Sequence, residues 1–305
     1  MSGPLYDEIR NRYNIAVFEP ITKGWSSDQK YYIETKDGTR MLLRGSGIAE
    51  YDRKKAEYDM MRRAHALSIR APRPLGFYLL EGGEYIYSLS EWLEGKDAEA
   101  ALPFLPDTEQ YVIGTKAGSL LAKMHTLPAP EHAEPWGDRF YRKVRGRLDF
   151  YSANGIKSEG GDIIVRYLMN NRRLLDSRPQ TFNHGDFGPS NLIVMPDGQI
   201  GVIDFNYYNS DHGDPWWEFC CIPWGMETSC HFMTGLIKGY FCGTPPRGFF
   251  EILSYYYAYD ALAALCDTSV GEQGEPEDGR RHLDNVLRWF GNMDEDAPLW
   301  YHEDF

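Results

Sequence analysis

A short stretch in the middle of the chain holds the side chains best suited to do chemistry. FNHGDFGPSNLIVMPDGQIGVIDFN places His184, Asp186 and Asn191 in a loop rich in Gly, Pro and Asn, and then Asp204 among apolar residues. Loops of this composition usually serve only as turns. An unpaired carboxylate in an apolar strand is costly to bury. Asp204 therefore requires a cation as its partner.

The residues after Asn191 predict a β-hairpin, because the apolar runs LIVM and IGVID lie on either side of the turn sequence PDGQ. If Met195 pairs with Ile200 across a four-residue loop, antiparallel pairing places Asn191 opposite Asp204. Directly opposed residues have Cβ atoms about 5 Å apart on the same face. An amide oxygen and a carboxylate side by side suit Mg²⁺, which prefers oxygen ligands.

Asp186 lies five residues before Asn191, on the loop that leads into this hairpin. A carboxylate there can accept a proton from a hydroxyl nucleophile while a metal ion holds phosphate groups. The spacing D-x-x-x-x-N, followed by an Asp at a strand end, is that of the protein-kinase catalytic loop and its metal-binding Asp. The stretch therefore predicts phosphoryl transfer to a hydroxyl group.

The elements that must position these residues differ between the two parts of the chain. Residues 1–94 contain β-rich runs separated by turn sequences such as KDG, and one helical repeat that begins near Glu50. Residues 95–305 are mainly helical, as in DTEQYVIGTKAGSLLAKMH, where apolar residues recur every three or four positions. We expect an α+β fold with an N-terminal antiparallel β-sheet lobe carrying one helix and a larger, mainly α-helical C-terminal lobe, joined near Gly95.

Composition excludes several classes of protein. No apolar run approaches the roughly 18 residues of a membrane span, and the start MSGPLYDEIRNRYN lacks the apolar core of a signal peptide, so a cytoplasmic protein is expected. The net charge of −13 argues against nucleic acid and anionic membranes as partners. Five cysteines without a C-x-x-C pair favour free thiols over a disulfide framework or a zinc site. Monomer and dimer are not distinguished.

The charge is unevenly distributed along the chain. Residues 1–94 hold 14 basic and 14 acidic side chains, so residues 95–305 carry the whole excess. Two interpretations stay open: a solvated acidic surface, or a field that attracts a cationic small molecule. The acidic candidates for contact with such a substrate are Asp211, Glu218, Asp260 and Asp267. Asp214, in the sequence GDP, is expected to form a turn instead.

HGDFGPSN followed by GVIDF resembles the aminoglycoside phosphotransferase family, the small-molecule branch of the protein-kinase-like fold. The likeness extends over nearly the whole chain. KGWSSDQKYYI resembles the family's nucleotide-positioning loop, AEYDMMRRA its Glu-bearing helix, and SLSEWLEG the hinge that holds the adenine. GSLLAKMH resembles a structural helix that ends in His, and HGDPWWEF resembles the segment after the metal-binding Asp.

The resemblance implies a role for each residue of the central stretch. Asp186 would be the catalytic base that orients and deprotonates the substrate hydroxyl. Asn191 and Asp204 would hold two Mg²⁺ ions. His184 would brace the loop by hydrogen bonding, without taking part in the chemistry.

The resemblance also implies a nucleotide site. The backbone of Ser90, Glu91 and Leu93 would contact the adenine, and Ser26 and Ser27 would lie over the phosphates. The expected donor is ATP, with GTP as the alternative because the nucleotide loop contains a single glycine and a bulky Trp.

One position departs from the protein-kinase pattern, because Arg44 stands where protein kinases have Lys. A guanidinium keeps the charge, and its planar fork can bridge a phosphate and the helix Glu57. The resemblance favours a functional Arg44. A surface arginine is the alternative.

The resemblance leaves the substrate open. An aminoglycoside antibiotic is the leading candidate, because the family and the acidic C-terminal part point the same way. Kinases for choline, homoserine, fructosamine, methylthioribose or macrolides are alternatives within the same fold. A catalytically weak, nucleotide-binding pseudokinase is the alternative of a different class.

Overall fold

The computed structural model describes residues 4–22, 28–80, 82–205, 211–221, 228–269 and 276–303, which form two compact units. Unit 1 consists of Met1–Ala98, His184–Asp186 and Asn191–Asp211. Unit 2 contains the remaining residues. The first stretch of unit 1 ends four residues after the predicted boundary at 94. Unit 1 also takes in most of the central stretch singled out by its chemistry.

Unit 1 is built on a five-stranded antiparallel sheet in the order β1-β2-β3-β5-β4. Its strands are β1 (Ile15–Pro20), β2 (Gln29–Thr35), β3 (Arg40–Gly47), β4 (Pro74–Leu79) and β5 (Tyr85–Glu91). Gly38 has a φ of +83°, which glycine adopts without steric cost, and so it completes the predicted turn between β2 and β3. The predicted β-lobe is confirmed.

Two α-helices lie in the described part of unit 1. The predicted helix is α2 (Tyr51–Ala66), which buries Met60 and Ala64 as its spacing indicated. A further helix, α1 (Pro4–Arg12), was not predicted, because its polar sequence has few apolar residues. Ile9 of α1 is fully buried in the apolar core on the sheet, which also contains Ile33, Met41, Leu43, Leu80, Tyr87 and Leu89.

A smaller three-stranded sheet completes unit 1, in the order β6-β8-β9. Its strands are β6 (Lys96–Asp97), β8 (Leu192–Val194) and β9 (Ile200–Val202), and a two-stranded pair in unit 2 joins β7 (Thr181–Phe182) to β10 (His212–Gly213). Gly95, near which the two parts of the chain were expected to join, immediately precedes β6. Its φ is +149°, and a Cβ there would lie 2.5 Å from the carbonyl oxygen of Val194, so close approach to β8 requires glycine.

Unit 2 is mainly helical, as predicted. Its helices are α3 (Ala98–Ala101), α4 (Asp107–Met124), α5 (Trp136–Ala153), α6 (Glu159–Asn170), α7 (Cys230–Phe241), α8 (Phe249–Ser269) and α9 (Pro276–Trp289). The long helix α8 is buried on several sides, and its Tyr256 packs edge-on against Phe140 and Trp217. The aromatic residues after position 216 therefore serve chiefly as core. No helix within the described ranges is long and apolar enough to cross a membrane.

Helices α4 and α7 approach each other until their backbones touch. A Cβ on Gly118 of α4 would lie 2.0 Å from the carbonyl oxygen of Leu236, and one on Gly239 of α7 would lie 2.1 Å from that of Thr115. Successive contacts advance in the same direction along both helices, so the helices are parallel and their N-termini lie at the same end.

Candidate active site

The loop from His184 to Asn191 is organised by the side chain of Asn191. Its Nδ2 donates hydrogen bonds of 2.8 Å to the backbone oxygen of Asp186 and of 2.8 Å to the Asp186 carboxylate. Because both contacts need a donor, the amide nitrogen faces Asp186 and the amide oxygen is left for another partner. Asn191 is buried, whereas Asp186 is partly open to solvent. One side chain thus holds the predicted base and presents an oxygen ligand.

His184 braces the same loop. It is fully buried, its Nδ1 accepts the backbone N–H of Asp186 at 3.2 Å, and its Nε2 lies 3.0 Å from the backbone oxygen of Ile203. These contacts define a neutral imidazole with the proton on Nε2. Burial lowers the pKa of His184, and the nearby acidic groups only partly oppose this effect. His184 therefore links the loop to the strand end that carries Asp204.

The hairpin register differs by one residue from the predicted one. Val194 pairs with Ile200, and the backbone N–H of Met195 donates to the oxygen of Gln199, so the loop has three residues and not four. Gly198 closes this loop with a φ of +71°, a conformation that completes three-residue hairpins. As a result, Asn191 lies opposite Ile203, whose backbone N–H donates to the backbone oxygen of Asn191 at 3.0 Å.

The position of Asp204 is set by its own backbone conformation and not by pairing opposite Asn191. Its φ is +63°, a left-handed conformation that is strained for a residue with a Cβ and that turns the chain just after β9. Its side chain is 42% exposed, so the expectation of a carboxylate buried in an apolar strand is wrong. The neighbours Val202 and Phe205 are buried. Backbone strain, not strand pairing, therefore directs this carboxylate.

Arg44 is the direct partner of Asp204. Its Nη2 donates to Asp204 Oδ1 at 2.5 Å. Although partial burial raises the pKa of Asp204, Arg44 lowers it more, with help from Lys30 and His184, so the net pKa is below the usual value. Lys30 lies opposite Arg44 in the β2–β3 pairing. Two cations therefore lie near the predicted metal-binding carboxylate.

The predicted bridge between Arg44 and Glu57 is wrong. Glu57 accepts instead from Arg53 and Lys54, each at 3.0 Å. Lys54 in turn donates to Asp28 at 2.7 Å, and this pair is almost completely buried. The Lys54 side chain, one helical turn before Glu57, reaches the helix glutamate first, which leaves Arg44 free to meet Asp204.

Sequence reasoning missed the cation Lys30 and the pair formed by Asp28 and Lys54. Lys30 could have been found from the β2–β3 register, because residues facing each other across antiparallel strands share a face. Asp28 receives a second hydrogen bond of 2.8 Å from Ser46. Burial raises the pKa of Asp28, but Lys54 and Ser46 lower it further, so the net shift is downward.

The predicted adenine hinge follows β5. The backbone N–H of Glu91 already donates to the Arg73 oxygen at 2.8 Å, and that of Trp92 donates to Arg40. Leu93 differs, because its backbone N–H and C=O have no backbone partner within the described part of the chain. Leu93 therefore has the free groups that an adenine needs. Ser90 is buried in β5. Ser26 and Ser27 lie outside the described residues.

One orphaned donor and two oxygen ligands test whether phosphate and Mg²⁺ fit here. Arg44 Nε is buried and has no hydrogen-bond partner among the residues that the structure describes. A buried donor of this kind is costly unless a ligand satisfies it, and a phosphate oxygen is a suitable acceptor. The amide oxygen of Asn191 and the carboxylate of Asp204 are the hard ligands that Mg²⁺ prefers. The residues present fit both groups.

The acidic residues predicted to meet a cationic substrate mostly have partners within the protein. Asp211 is paired with Arg63, Asp260 lies 2.9 Å from His282, and Asp267 accepts two hydrogen bonds from Arg147. Glu218 is only 2% exposed. These four carboxyl groups are thus either paired within the protein or buried.

Asp214 has the structural role expected for it. It is fully buried and accepts two hydrogen bonds from Arg178, at 2.5 and 2.9 Å. Tyr256 donates to the same carboxylate at 2.6 Å, and the backbone N–H of Trp216 donates at 2.9 Å. The Arg178 guanidinium also lies 3.9 Å from the centre of the Trp216 ring. The carboxylate anchors the turn, and no acceptor capacity is left over for a ligand.

The five-stranded sheet of unit 1 and the mainly helical unit 2 show the protein-kinase-like fold. The chain belongs to the phosphotransferase enzyme family, APH, whose sequence profile matches residues 17–250. The resemblance noted in the sequence is thereby confirmed. No curated protein matches the chain significantly in sequence.

Solved structures share the fold at low identity. The ADP-bound aminoglycoside phosphotransferase APH(2'')-Ib superimposes with a TM-score of 0.65 at 14% identity, covering 94% of this chain and 97% of that one. The gentamicin complex of APH(2'')-IIa gives 0.66 at 14%, with 99% of both chains covered. A choline/ethanolamine kinase family protein from Mesorhizobium loti gives 0.64 at 16%, covering 93% and 95%. At these identities the likeness establishes the fold alone.

Proposed function

We propose that this protein transfers the γ-phosphoryl group of ATP to a hydroxyl group of a small cationic molecule. The hydrogen bond between the Asn191 amide and the Asp186 carboxylate carries the proposal, because it fixes a base beside an oxygen ligand for a metal. GTP is the alternative donor. A cytoplasmic location suits both donors and stays a prediction.

Asp186 acts as the general base in this proposal. The hydroxyl oxygen attacks the γ-phosphorus, the bond from that phosphorus to the bridging oxygen breaks, and the nucleoside diphosphate leaves. The hydroxyl proton passes to the Asp186 carboxylate. The hydrogen bond from Asn191 Nδ2 keeps that carboxylate in one orientation, and a second one holds the Asp186 backbone oxygen. The buried, neutral His184 holds the backbone N–H of Asp186 and takes no proton itself.

The phosphates are held by cations. Arg44 Nε is the orphaned donor, and we expect it to bind a phosphate oxygen while Lys30 adds charge from the neighbouring strand. Asn191 and Asp204 would hold Mg²⁺, which supplies neutralisation of the phosphate charge. The adenine would lie against the hinge, where the backbone of Leu93 offers a donor and an acceptor. The backbone of Ser90 and Glu91 would also contact the adenine, and Ser26 and Ser27 would lie over the phosphates.

An aminoglycoside is the leading acceptor, and phosphorylation of it would give antibiotic resistance. APH(2'')-IIa, which shares the fold, was solved in complex with gentamicin. The net charge of −13 also favours binding of polycations. A second candidate is a kinase for a smaller alcohol such as choline. The internal pairing of Asp211, Asp260 and Asp267 favours it, because those carboxylates are not open to several ammonium groups at once. A choline/ethanolamine kinase family protein also shares the fold.

A panel assay tests the proposal. The protein is incubated with Mg²⁺ and ATP or GTP and a mixture of aminoglycosides, macrolides and small alcohols, and products are read as the mass increase of one phosphoryl group. A phosphorylated aminoglycoside is expected. Turnover of choline without any aminoglycoside would select the second candidate. Binding of ATP without turnover of any acceptor would favour a pseudokinase and contradict the proposed function.

A further inference from the structure

A cluster of metal-binding side chains in unit 2 lies outside the candidate active site. Cys230 and His231 stand in the first turn of α7, and His302 lies near the C-terminal end. Their Sγ and ring nitrogen atoms are all within 4.8 Å of one another. The two imidazole rings stack with centroids 5.5 Å apart and an interplanar angle of 18°. Residues more than 70 positions apart in the sequence are thus brought together at one point.

The spacing of the ligand atoms is close to that of a tetrahedral metal site. With Zn–S distances near 2.3 Å and Zn–N distances near 2.0–2.1 Å, ligand atoms lie roughly 3.3–3.6 Å apart. Cys230 Sγ is 3.8 Å from His231 Nδ1. The three ligand atoms, which lie within 4.8 Å of one another, would have to approach each other to bind one ion. One thiolate and two imidazoles select transition metals over Mg²⁺ or Ca²⁺, which prefer oxygen.

A carboxylate lies beside one member of the cluster. Asp107, the first residue of α4, has Oδ1 3.6 Å from His231 Nδ1. This contact follows from the glycine packing of the parallel helices α4 and α7, which brings their N-termini together. The thiolate is the form of cysteine that binds metals.

The C-terminal segment is held where the cluster needs it. The backbone N–H of His302 donates to Thr234 Oγ1 at 3.4 Å, and Lys238 Nζ donates to the backbone oxygen of Glu303. Both partners lie on α7. The position of His302 is therefore defined by contacts that do not depend on a metal.

We propose that Cys230, His231 and His302 bind a transition metal ion such as Zn²⁺, with Asp107 or water in the fourth position. Binding releases the thiol proton of Cys230 and joins the C-terminal segment to the ends of α4 and α7. None of these residues takes part in the proposed phosphoryl transfer. The site is structural in character, and its failure would leave the proposed function untouched.

Cobalt substitution tests this proposal on the purified full chain. Co²⁺ is titrated into metal-free protein, and the near-ultraviolet thiolate-to-cobalt charge-transfer band reports binding through a cysteine. We expect one equivalent of Co²⁺ to give the band, Zn²⁺ to abolish it and Mg²⁺ to leave it unchanged. Cobalt at oxygen ligands gives no such band, so the candidate active site does not interfere.

Variants identify the ligands. Cys230→Ser is expected to lose the band, and His302→Asn to weaken Co²⁺ binding by at least about tenfold, since even loss of an outer partner costs 10–100-fold. The matched control is Cys242→Ser, which removes the exposed thiol at the other end of α7 and should keep the band. Because His302 is exposed, its variant should remain folded if Cys230→Ser does not. The proposal fails if wild-type protein gives no band, or if His302→Asn binds as tightly as Cys242→Ser.

Discussion

Arg44 and Asp204 satisfy each other's charge in the candidate active site, with the guanidinium Nη2 2.5 Å from the carboxylate Oδ1. Each of these groups is proposed to bind another partner, a phosphate oxygen for Arg44 and Mg²⁺ for Asp204. The ion pair therefore keeps two binding groups in place and must open when the nucleotide complex enters. Arg44 in place of a lysine suits this role, since its guanidinium offers further donors, including the orphaned Nε.

Replacing Arg44 by Ala is expected to lower kcat/KM for ATP by about 10- to 100-fold, because hydrogen bonds to charged groups contribute about 1.5–3 kcal/mol. Steady-state kinetics with varied ATP measure this loss. The matched control is Arg40→Ala on the same strand, whose partner Glu94 lies 2.7 Å away at the surface. Equal kinetics for the Arg44 and Arg40 variants would remove Arg44 from the nucleotide site.

The buried pair of Arg178 and Asp214 should be sensitive to loss of one partner. Asp214→Asn leaves the guanidinium without a balancing charge, so the free energy of unfolding should fall by about 3–5 kcal/mol. Urea unfolding followed by circular dichroism gives this quantity. Glu134→Gln, which breaks the exposed pair with Arg142, is the control and should unfold like the wild type. A similar small effect in both variants would show that Asp214 is not an anchor.

A glycine in the contact between α4 and α7 and a glycine outside it should respond in opposite ways to replacement by Ala. Gly118→Ala places a Cβ 2.0 Å from the Leu236 oxygen, so it should destabilise the protein by about 1–3 kcal/mol. Gly146→Ala in α5 meets open space and should stabilise it by about 0.5–1 kcal/mol through helix propensity. Thermal unfolding of both variants measures the difference. Stabilisation by Gly118→Ala would contradict the close packing.

His125, the residue after α4, should make stability depend on pH. Burial lowers its pKa to about 3, while its Nδ1 contacts the Tyr240 hydroxyl at 2.8 Å. Protons therefore bind His125 more tightly in the unfolded chain than in the folded one. The contribution of His125 to the free energy of unfolding is complete above about pH 6.5 and is lost as the pH falls toward 3. The expected slope is about 1.4 kcal/mol per pH unit.

The measurement is the free energy of unfolding between pH 6.5 and 4. His184 is buried too and adds to the wild-type slope, so the effect of His125 is the difference between wild type and His125→Asn. In the His125 variant, the free energy of unfolding should change by about 1.4 kcal/mol less per pH unit than in the wild type. The control His132→Asn, at an exposed residue, should match the wild type. Identical slopes in all three proteins would contradict a buried neutral His125.

The lobe architecture and the contact between Asp186 and Asn191 could be predicted from sequence because they depend on local patterns. The spacing from Asp186 to Asn191 fits a hydrogen bond that forms within one loop. The register of the hairpin could not be predicted, because it depends on the left-handed conformation of Gly198, and a single-residue change in loop length shifts every pair. Nor could the left-handed backbone of Asp204, which turns the chain just after β9.

Contacts between residues far apart in the sequence could not be predicted. Arg44 was predicted to meet Glu57, but the competing cation Lys54 lies closer along the same helix. The cluster of Cys230 and His302 has no spacing signature, because helix packing and the path of the C-terminal segment create it. Sequence patterns indicate which groups exist, whereas tertiary packing decides which of them pair.

The most direct test of the account is the rate of ATP-dependent phosphorylation after removal of the Asp186 charge. Asp186→Asn should lower kcat by about 10²–10⁴-fold with little change in ATP binding, because a general base acts in the transition state. The matched control is Asp197→Asn in the turn of the neighbouring hairpin, where the side chain is exposed. Wild-type kcat in the Asp197 variant, with the large loss confined to Asp186→Asn, is the predicted result. Equal turnover by both variants would contradict the assignment of Asp186 as the base.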